Sequence, residues 1–487
     1  MTLDSPRHRL LLFVAAVCLL AAFPGVDAEA KRRPVKAKKK VVSKAKVAVN
    51  IGDRLARILS AAPGKPKALA CLVDLDSGKT IMKLNGDRPA WPASVAKMFT
   101  TAAILRTLPR DHRLTTRLMV SKKAKGSAKK ASVDRLALIG GGDPTLTLGH
   151  FDSLVAAVTK ADIGRVRTLI IDSTLFDDSL PRGYDEKKTD AAYRAPIDAL
   201  QVNGSVIAVT VRPAKKQGAR PQVTITPSSR AIFVNNQAKT VKGKRDGLNI
   251  RTLGNGRRTE VRVRGVIGQR RKRRVVVRRR VENARLFAGE TFRARLVAAG
   301  VRVDKTQYRS APKGLQPLHT LRSKPLLDVV RITNKTSHNG YAETLFKLVG
   351  VERVGRPGTA VKAEAGVQQA LANLGIDWRQ VSLGNGSGLY HANRVTACQV
   401  VALLRGMYGD RKTGKTWRQS LAIGGVEGTL RHRLKSAKTR GRVFAKTGTL
   451  DDVTALAGYA HGKRRKFAFA LFFNHVRGAA RTYRAVH

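Results

Sequence analysis

Trp91-Pro92-Ala93-Ser94-Val95-Ala96-Lys97-Met98-Phe99-Thr100, running on into Thr101-Ala102-Ala103-Ile104-Leu105-Arg106-Thr107-Leu108, decides how this chain is read. Pro92 favours the opening of a helix, the apolar spacing after it continues one, and Pro109 stops it. Ser94 and Lys97 then share one helical face, three residues apart. A serine hydroxyl is a poor nucleophile unless a base lies within hydrogen-bond reach, and a lysine serves as that base once burial or a second cation lowers its pKa. Four-residue patterns of this kind recur by chance, so the pair needs support from elsewhere in the chain.

Two further motifs supply it. Ser337-His338-Asn339 follows the helical run Leu326-Leu327-Asp328-Val329-Val330, and Lys446-Thr447-Gly448-Thr449 lies on an alternating run that predicts a strand. Ser-x-x-Lys, then Ser-x-Asn, then Lys-Thr-Gly is the ordered signature of β-lactamases and penicillin-binding proteins. The candidate catalytic residues are therefore Ser94, Lys97, Ser337, Asn339 and Lys446, with Thr447, Gly448 and Thr449 as substrate-binding candidates. Each has a plainer reading: Ser337 and Asn339 as helix caps, Lys446 as a solvated strand lysine. The order of all three motifs in one chain favours the chemical reading.

Composition bounds the rest. The chain has 487 residues, room for two or three domains, and 43% hydrophobic content argues against disorder outside its basic segments. Its formal net charge of +61, from 94 Lys+Arg against 33 Asp+Glu, implies attraction to polyanions such as nucleic acid, anionic lipid or wall polymer. The amino terminus chooses among them. Arg7, His8 and Arg9 precede an apolar run over 10–22 that is too short to span a bilayer, and small residues near Ala28 suit a signal peptidase. This reads as a secretory signal peptide over 1–28, hence a periplasmic or cell-envelope location. Lysines and arginines crowd 29–48, a basic tail that is either a solubilising linker or a tether to an anionic wall or membrane surface. Cys71, in an apolar strand, and Cys398, in an apolar helix, are read as two buried free thiols.

Along the chain, helical spacing over 51–61 leads to a predicted hairpin over 69–84 and then to the Ser94 helix. Far more chain separates Lys97 from Ser337 than a compact serine β-lactamase places there, so a large insertion is expected. It opens with strands over 115–120 and 135–139, then Gly140-Gly141-Gly142-Asp143-Pro144-Thr145-Leu146, a helix over 151–159 and a strand over 166–172. From 213 to 277 the pattern is strand and turn throughout. In Thr259-Glu260-Val261-Arg262-Val263-Arg264 the charge falls on a solvent face and the valines inward. A helix over 285–299 closes the insertion, and helices over 341–349, 363–374 and 397–408 precede strands over 455–460 and 467–474.

These motifs together resemble the D-alanyl-D-alanine carboxypeptidase/endopeptidase family of the penicillin-binding protein 4 type. The resemblance also rests on Ala-Pro-Ile-Asp-Ala-Leu at 195–200, Asn-Gly-Ser-Gly-Leu at 385–389 with Asn393-Arg394-Val395-Thr396, and Gly-Val-Glu-Gly-Thr-Leu at 425–430. It implies an α+β fold: a penicillin-binding/β-lactamase-like transpeptidase domain, an antiparallel sheet flanked by helices, split by an inserted α/β domain that carries a nested β-rich domain. The boundaries read as 49–114 for the first catalytic part, 115–320 for the insert with its β-rich part at about 213–280, and 321–487 for the second catalytic part. There are departures. Where relatives continue the glycine loop with Ser-Arg this chain has Tyr390-His391, so His391 or Arg394 takes that arginine's place or substrate preference differs. The basic run over 270–280 is also unlike a typical member.

The chemistry that the resemblance implies is cleavage of peptidoglycan stem peptides, with the following roles expected. Ser94 attacks the penultimate D-Ala carbonyl while Lys97 takes its proton, and Lys446 stands by as a second cation. Backbone N–H groups of Ser94 and Thr449 hold the oxyanion, Lys446 with Thr447 and Thr449 takes the terminal carboxylate, Ser337 relays a proton to the leaving amine, and Asn339 binds the peptide amide. The resemblance adds Asp143 as a contact for a diaminopimelate-type side chain. No metal and no cofactor is expected, and β-lactams should acylate Ser94. The rivals are a catalytically inactive polyanion-binding envelope protein on the same scaffold and a serine β-lactamase. A specific nucleic-acid binder is opposed by the signal peptide and by 5% aromatic content, which leaves few stacking residues.

Overall fold

The computed structural model describes residues 52–53, 55–57, 67–122, 131–254, 258–270 and 274–476. The predicted signal peptide, the basic tail, most of the predicted 51–61 helix and any helix after 476 lie outside the described residues. The described residues cluster into two compact units, one drawn from 52–106, 330–337 and 367–476, the other from 107–329 and 338–366.

The first unit is built on a six-stranded sheet, every neighbouring pair antiparallel, in the order Ala422–Ile423, Val443–Thr449, Thr454–His461, Lys466–Asn474, Lys67–Asp74, Thr80–Leu84. Its central strand, Lys-Phe-Ala-Phe-Ala-Leu-Phe-Phe-Asn, is buried at every position after Lys466. A strand covered on both faces reads as a continuous apolar run, and period-two alternation is lost. One face, with Ala70, Leu72, Phe469 and Leu471, packs on Leu55, Leu430 and Leu434. Each fully buried large apolar side chain there contributes roughly 1.5–3 kcal/mol.

The other face carries helices. Tyr459 Oη donates to the Leu404 carbonyl at 2.7 Å, tying the Thr454–His461 strand to the helix Ala397–Gly409. That helix begins where the sequence predicts, with the Thr396 side chain accepting from the Gln399 N–H. Cys71 and Cys398 depart from the sequence reading: they are not free thiols but a disulfide between this helix and the Lys67–Asp74 strand, Cα atoms 5.2 Å apart. The two residues are separated by 327 positions, and local apolarity carries no sign of which distant side chains will face each other. A bridge closing so long a loop typically adds 2–4 kcal/mol.

The second unit holds a five-stranded mixed sheet, ordered Arg302–Tyr308, Ile163–Asp172, Ala131–Ile139, Thr115–Val120, Gln316–Arg322. The first three strands are parallel and the last two join antiparallel. The helix Leu148–Lys160 makes the crossover between Ala131–Ile139 and Ile163–Asp172, as parallel pairing requires. It packs beside Ala284–Ala298 through Phe151 and Phe292, ring centroids 5.4 Å apart. A three-stranded sheet around Val206–Arg212 and a four-stranded sheet around Thr259–Gly268 share the same core. The Arg/Val alternation behaves as expected: Val261 and Val263 are fully buried and Arg264 is exposed. The α+β architecture, with an antiparallel sheet flanked by helices, agrees with the sequence reading.

Candidate active site

Pro92 ends the approach to the serine, and residues Ala93–Ala96 form a single 3-10 turn before the α-helix Lys97–Thr107. The predicted helix thus starts tightly wound, with Ser94 in the turn and Lys97 as the first α-helical residue. Ala93 adopts φ +46°, a left-handed conformation that costs a non-glycine residue about 1 kcal/mol or more. Two glycines pass close to this turn. A Cβ on Gly388 would lie 1.8 Å from the Ala93 carbonyl oxygen, and one on Gly448 would lie 2.8 Å from that of Pro92. Both glycines let backbone close over the serine turn from two directions.

Lys97 Nζ lies 2.9 Å from Ser94 Oγ and donates to the Ser387 carbonyl at 2.6 Å. Its side chain is fully buried. Asn385 and Asn393 hold that carbonyl in place: the Asn385 N–H donates to Asn393 Oδ1 at 3.0 Å, the Asn393 amide returns a bond to the Asn385 carbonyl at 2.8 Å, and Asn385 Oδ1 accepts from the Gly388 N–H at 2.8 Å. The Asn-Gly-Ser-Gly-Leu motif is therefore a backbone bracket for a buried lysine.

Ser337 comes from the end of the helix Leu326–Thr336, at φ +60°. A left-handed residue ends a helix and turns the chain away, and a serine in that role aims its hydroxyl at Lys446. Lys446 Nζ donates to Ser337 Oγ at 2.8 Å and to the Thr447 carbonyl at 2.7 Å. On the strand Val443–Thr449, Lys446 lies on the helix-covered side of the sheet and is fully buried. Burial, and then the charge of Lys97, hold the Lys446 ammonium well below the usual lysine range. Thr447 Oγ1 donates to Thr429 Oγ1 at 2.9 Å, and Lys335 pairs with Glu427 at 2.7 Å. The Gly-Val-Glu-Gly-Thr-Leu loop thereby touches both the Ser337 turn and the Lys446 strand.

The first unit thus gathers Ser94, Lys97, Ser337, Lys446, Thr447, Gly448 and Thr449. Asn339 and Asp143 belong to the second unit. Asn339 opens the helix Asn339–Arg353 and its amide donates to the Tyr193 carbonyl at 3.0 Å. Asp143 is buried, with Oδ1 accepting from the N–H and hydroxyl of Thr145 at 2.8 and 2.7 Å. Burial raises its pKa, and the Thr145 hydroxyl opposes the shift. His391 Nε2 lies 3.1 Å from Asp452 Oδ1, its ring centroid 4.3 Å from that of Trp91, while the Arg394 guanidinium stacks 5.0 Å from the Trp91 ring.

Sequence reasoning missed the support beneath the Ser94–Lys97 helix. Trp417 Nε1 donates to Thr101 Oγ1 at 3.0 Å, Thr101 Oγ1 to the Lys97 carbonyl at 2.8 Å, and the Asn334 amide to Ser420 Oγ at 2.8 Å. Polar residues at apolar-helix positions, Thr101 and Asn334, were the available signal. Among the described residues no cluster of His, Cys, Asp and Glu could hold a metal, and no helix is long and apolar enough to cross a membrane.

Comparison with known proteins bears on the family and the fold. A D-alanyl-D-alanine carboxypeptidase of Actinomadura sp. (strain R39) is 33% identical over 428 residues, spanning 84% of this chain and 78% of that one. The structure of penicillin-binding protein 4 (dacB) from Haemophilus influenzae has the same fold, with a TM-score of 0.75 at 23% identity over 86% of this chain and 93% of that one. The same protein in complex with a β-lactam gives a TM-score of 0.72 at 24% identity, with the same shares covered. The model of one family matches residues 53–486, and the chain belongs to that family, the D-Ala-D-Ala carboxypeptidase 3 (S13) family.

Proposed function

We propose that this carboxypeptidase cleaves peptidoglycan stem peptides through an acyl-enzyme on Ser94, and that β-lactams form the same adduct. The observation that carries the reading is the pairing of two buried lysines with two serines in one unit: Lys97 Nζ 2.9 Å from Ser94 Oγ, Lys446 Nζ 2.8 Å from Ser337 Oγ. Two ammonium groups in a dry site repel, so the site favours holding one proton fewer than two free lysines would, and that missing proton makes a base.

Ser94 Oγ bonds to the carbonyl carbon of the penultimate D-Ala as its proton passes to Lys97. The oxyanion is held by the N–H groups of Ser94 and Thr449, each worth about 3–4 kcal/mol in such sites. The C–N bond to the terminal D-Ala breaks as Ser337 gives its proton to the leaving amine; Lys446 reprotonates Ser337 and recovers the proton that Lys97 took from Ser94, so Lys97 is neutral again in the acyl-enzyme. Lys446 with the Thr447 and Thr449 hydroxyls takes the terminal carboxylate. Water then attacks the ester as Lys97 accepts its proton, and when the C–O bond breaks Lys97 returns that proton to Ser94 Oγ, 2.9 Å away, restoring the free enzyme. Asn339 and Asp143 are assigned to the peptide amide and to a diaminopimelate-type side chain by their motifs alone. The signal peptide reading places the enzyme in the cell envelope, where its cationic surface meets anionic wall or membrane.

Fluorescent penicillin should label the wild-type chain covalently and Ser94→Ala not at all. Purified muropeptides should lose a single D-Ala, read by mass, with cross-link cleavage as the endopeptidase signature. Absence of labelling would favour the inactive scaffold, and rapid turnover of the penicilloyl adduct would favour a β-lactamase.

A further inference from the structure

A cavity of about 650 Å³ lies within the second unit, at the carboxyl ends of all three parallel strands of its five-stranded sheet. Its walls include Ile139–Gly141 at the end of one strand, Asp172, Thr174 and Leu175 at the end of the next, and 310–315 just beyond the third. The carboxyl edge of parallel strands is where open α/β sheets hold ligands, because the loops there diverge and leave a crevice. The volume falls within the range of small-molecule sites.

The lining is cationic. Arg113, Arg117, Lys313 and Arg356 face two carboxylates, Asp172 and Glu352. Asp172 is occupied by the fold: Oδ1 accepts from the N–H and hydroxyl of Thr174 at 3.0 and 2.7 Å, and Oδ2 from the Ala311 N–H at 2.8 Å. That last bond ties the 310–315 loop to the strand end and shapes the wall. Arg113 donates to the Ser323 carbonyl at 2.7 Å. Arg117, Lys313 and Arg356 make no ion pair among the described residues. Arg117 shares a strand face with Thr115 and Met119, and all three line the cavity.

We propose that this cavity binds a phosphate-bearing ligand, with the guanidinium forks of Arg117 and Arg356 and the Lys313 ammonium as its anion clamp. Guanidinium groups match phosphate bidentately, and Arg117, Lys313 and Arg356, each exposed and none of them ion-paired among the described residues, line one concave site. The proposal does not rest on the peptidase reading, since Ser94→Ala protein should bind the same ligand unchanged.

The test is calorimetric titration of the full chain with glycerol 3-phosphate and with a synthetic glycerol-phosphate oligomer, against sodium chloride at matched ionic strength. Saturable one-site binding is expected, at least tenfold weaker in Arg117→Gln/Lys313→Gln and in Arg356→Gln, and unchanged in Lys239→Gln and Arg251→Gln, which remove exposed cations outside the cavity. Thermal unfolding identifies any variant that fails to fold, and the other variant then decides. Tenfold tighter binding of the oligomer than of the monomer assigns a polymer as the source, and equal binding a free phosphorylated molecule. Absence of saturation, or equal losses in cavity and control variants, overturns the proposal.

Discussion

Lys446 in the first unit and Lys347 in the second are both buried lysines, and what surrounds them differs. Lys347 Nζ lies 2.6 Å from Asp177 Oδ1, with the Asp177 carbonyl at 3.2 Å and the Phe176 ring centroid at 5.9 Å. Lys446 is given neutral oxygens, the Ser337 hydroxyl and the Thr447 carbonyl, and a second lysine whose charge opposes its own. Removing an ammonium from water costs several kcal/mol, and a carboxylate offsets much of that. One lysine therefore belongs to the fold, whereas the other is held at a cost to stability, a cost that the proposed mechanism puts to use.

The largest break in this comparison comes from Lys446→Met. Carboxypeptidase kcat/KM should fall on the order of 10²–10³-fold, as when a preorganised charge is removed from a transition state, while the thermal midpoint stays level or rises. A midpoint several degrees lower would place Lys446 with Lys347. The pH dependence sharpens the point. Because the folded pKa lies below 10.5, the native chain binds fewer protons than the unfolded chain between the two values. Lys446 therefore contributes a stability that rises with pH across that window, and Lys446→Met should flatten the rise in urea-unfolding measurements.

Asp177→Asn tests the other side. It leaves Lys347 buried without its carboxylate and should destabilise by about 2–4 kcal/mol in urea unfolding, while penicillin labelling per folded molecule is unchanged. A smaller effect, and a different sign with pH, is expected at Asp198. Burial pushes its carboxyl up to about 6, against the Leu200 N–H, the Arg285 charge and the Ser173 hydroxyl. The native chain then keeps a proton that the unfolded chain gives up between 3.8 and about 6, so stability falls as pH rises through that interval. Asp198→Asn should remove the slope, a relative gain of roughly 1–3 kcal/mol between pH 4 and pH 7.

Much of this was legible in the residues. Ser94 and Lys97 meet because three positions along a helical turn always meet, and the strands at Thr259–Gly268 and Lys466–Asn474 follow from runs of apolar residues with or without alternation. Thr396 announced its helix by the chemistry of a cap. The disulfide was not legible, because neither Cys71 nor Cys398 carries any local mark of its partner. Nor was the bracket that Asn385 and Asn393 make around the Ser387 carbonyl, since a backbone oxygen has no identity in a sequence.

What the amino-acid sequence determined by itself was the family, the order of the three motifs and the pairing of one hydroxyl with one amine, all matters of short-range spacing. Only the tertiary structure decided that Lys446 is fully buried, that its charge is opposed by Lys97, and that Ser337 leaves its helix at a left-handed φ with its hydroxyl 2.8 Å from Lys446. Those are consequences of desolvation and of long-range convergence, which depend on every layer packed around the site and on no single stretch of chain.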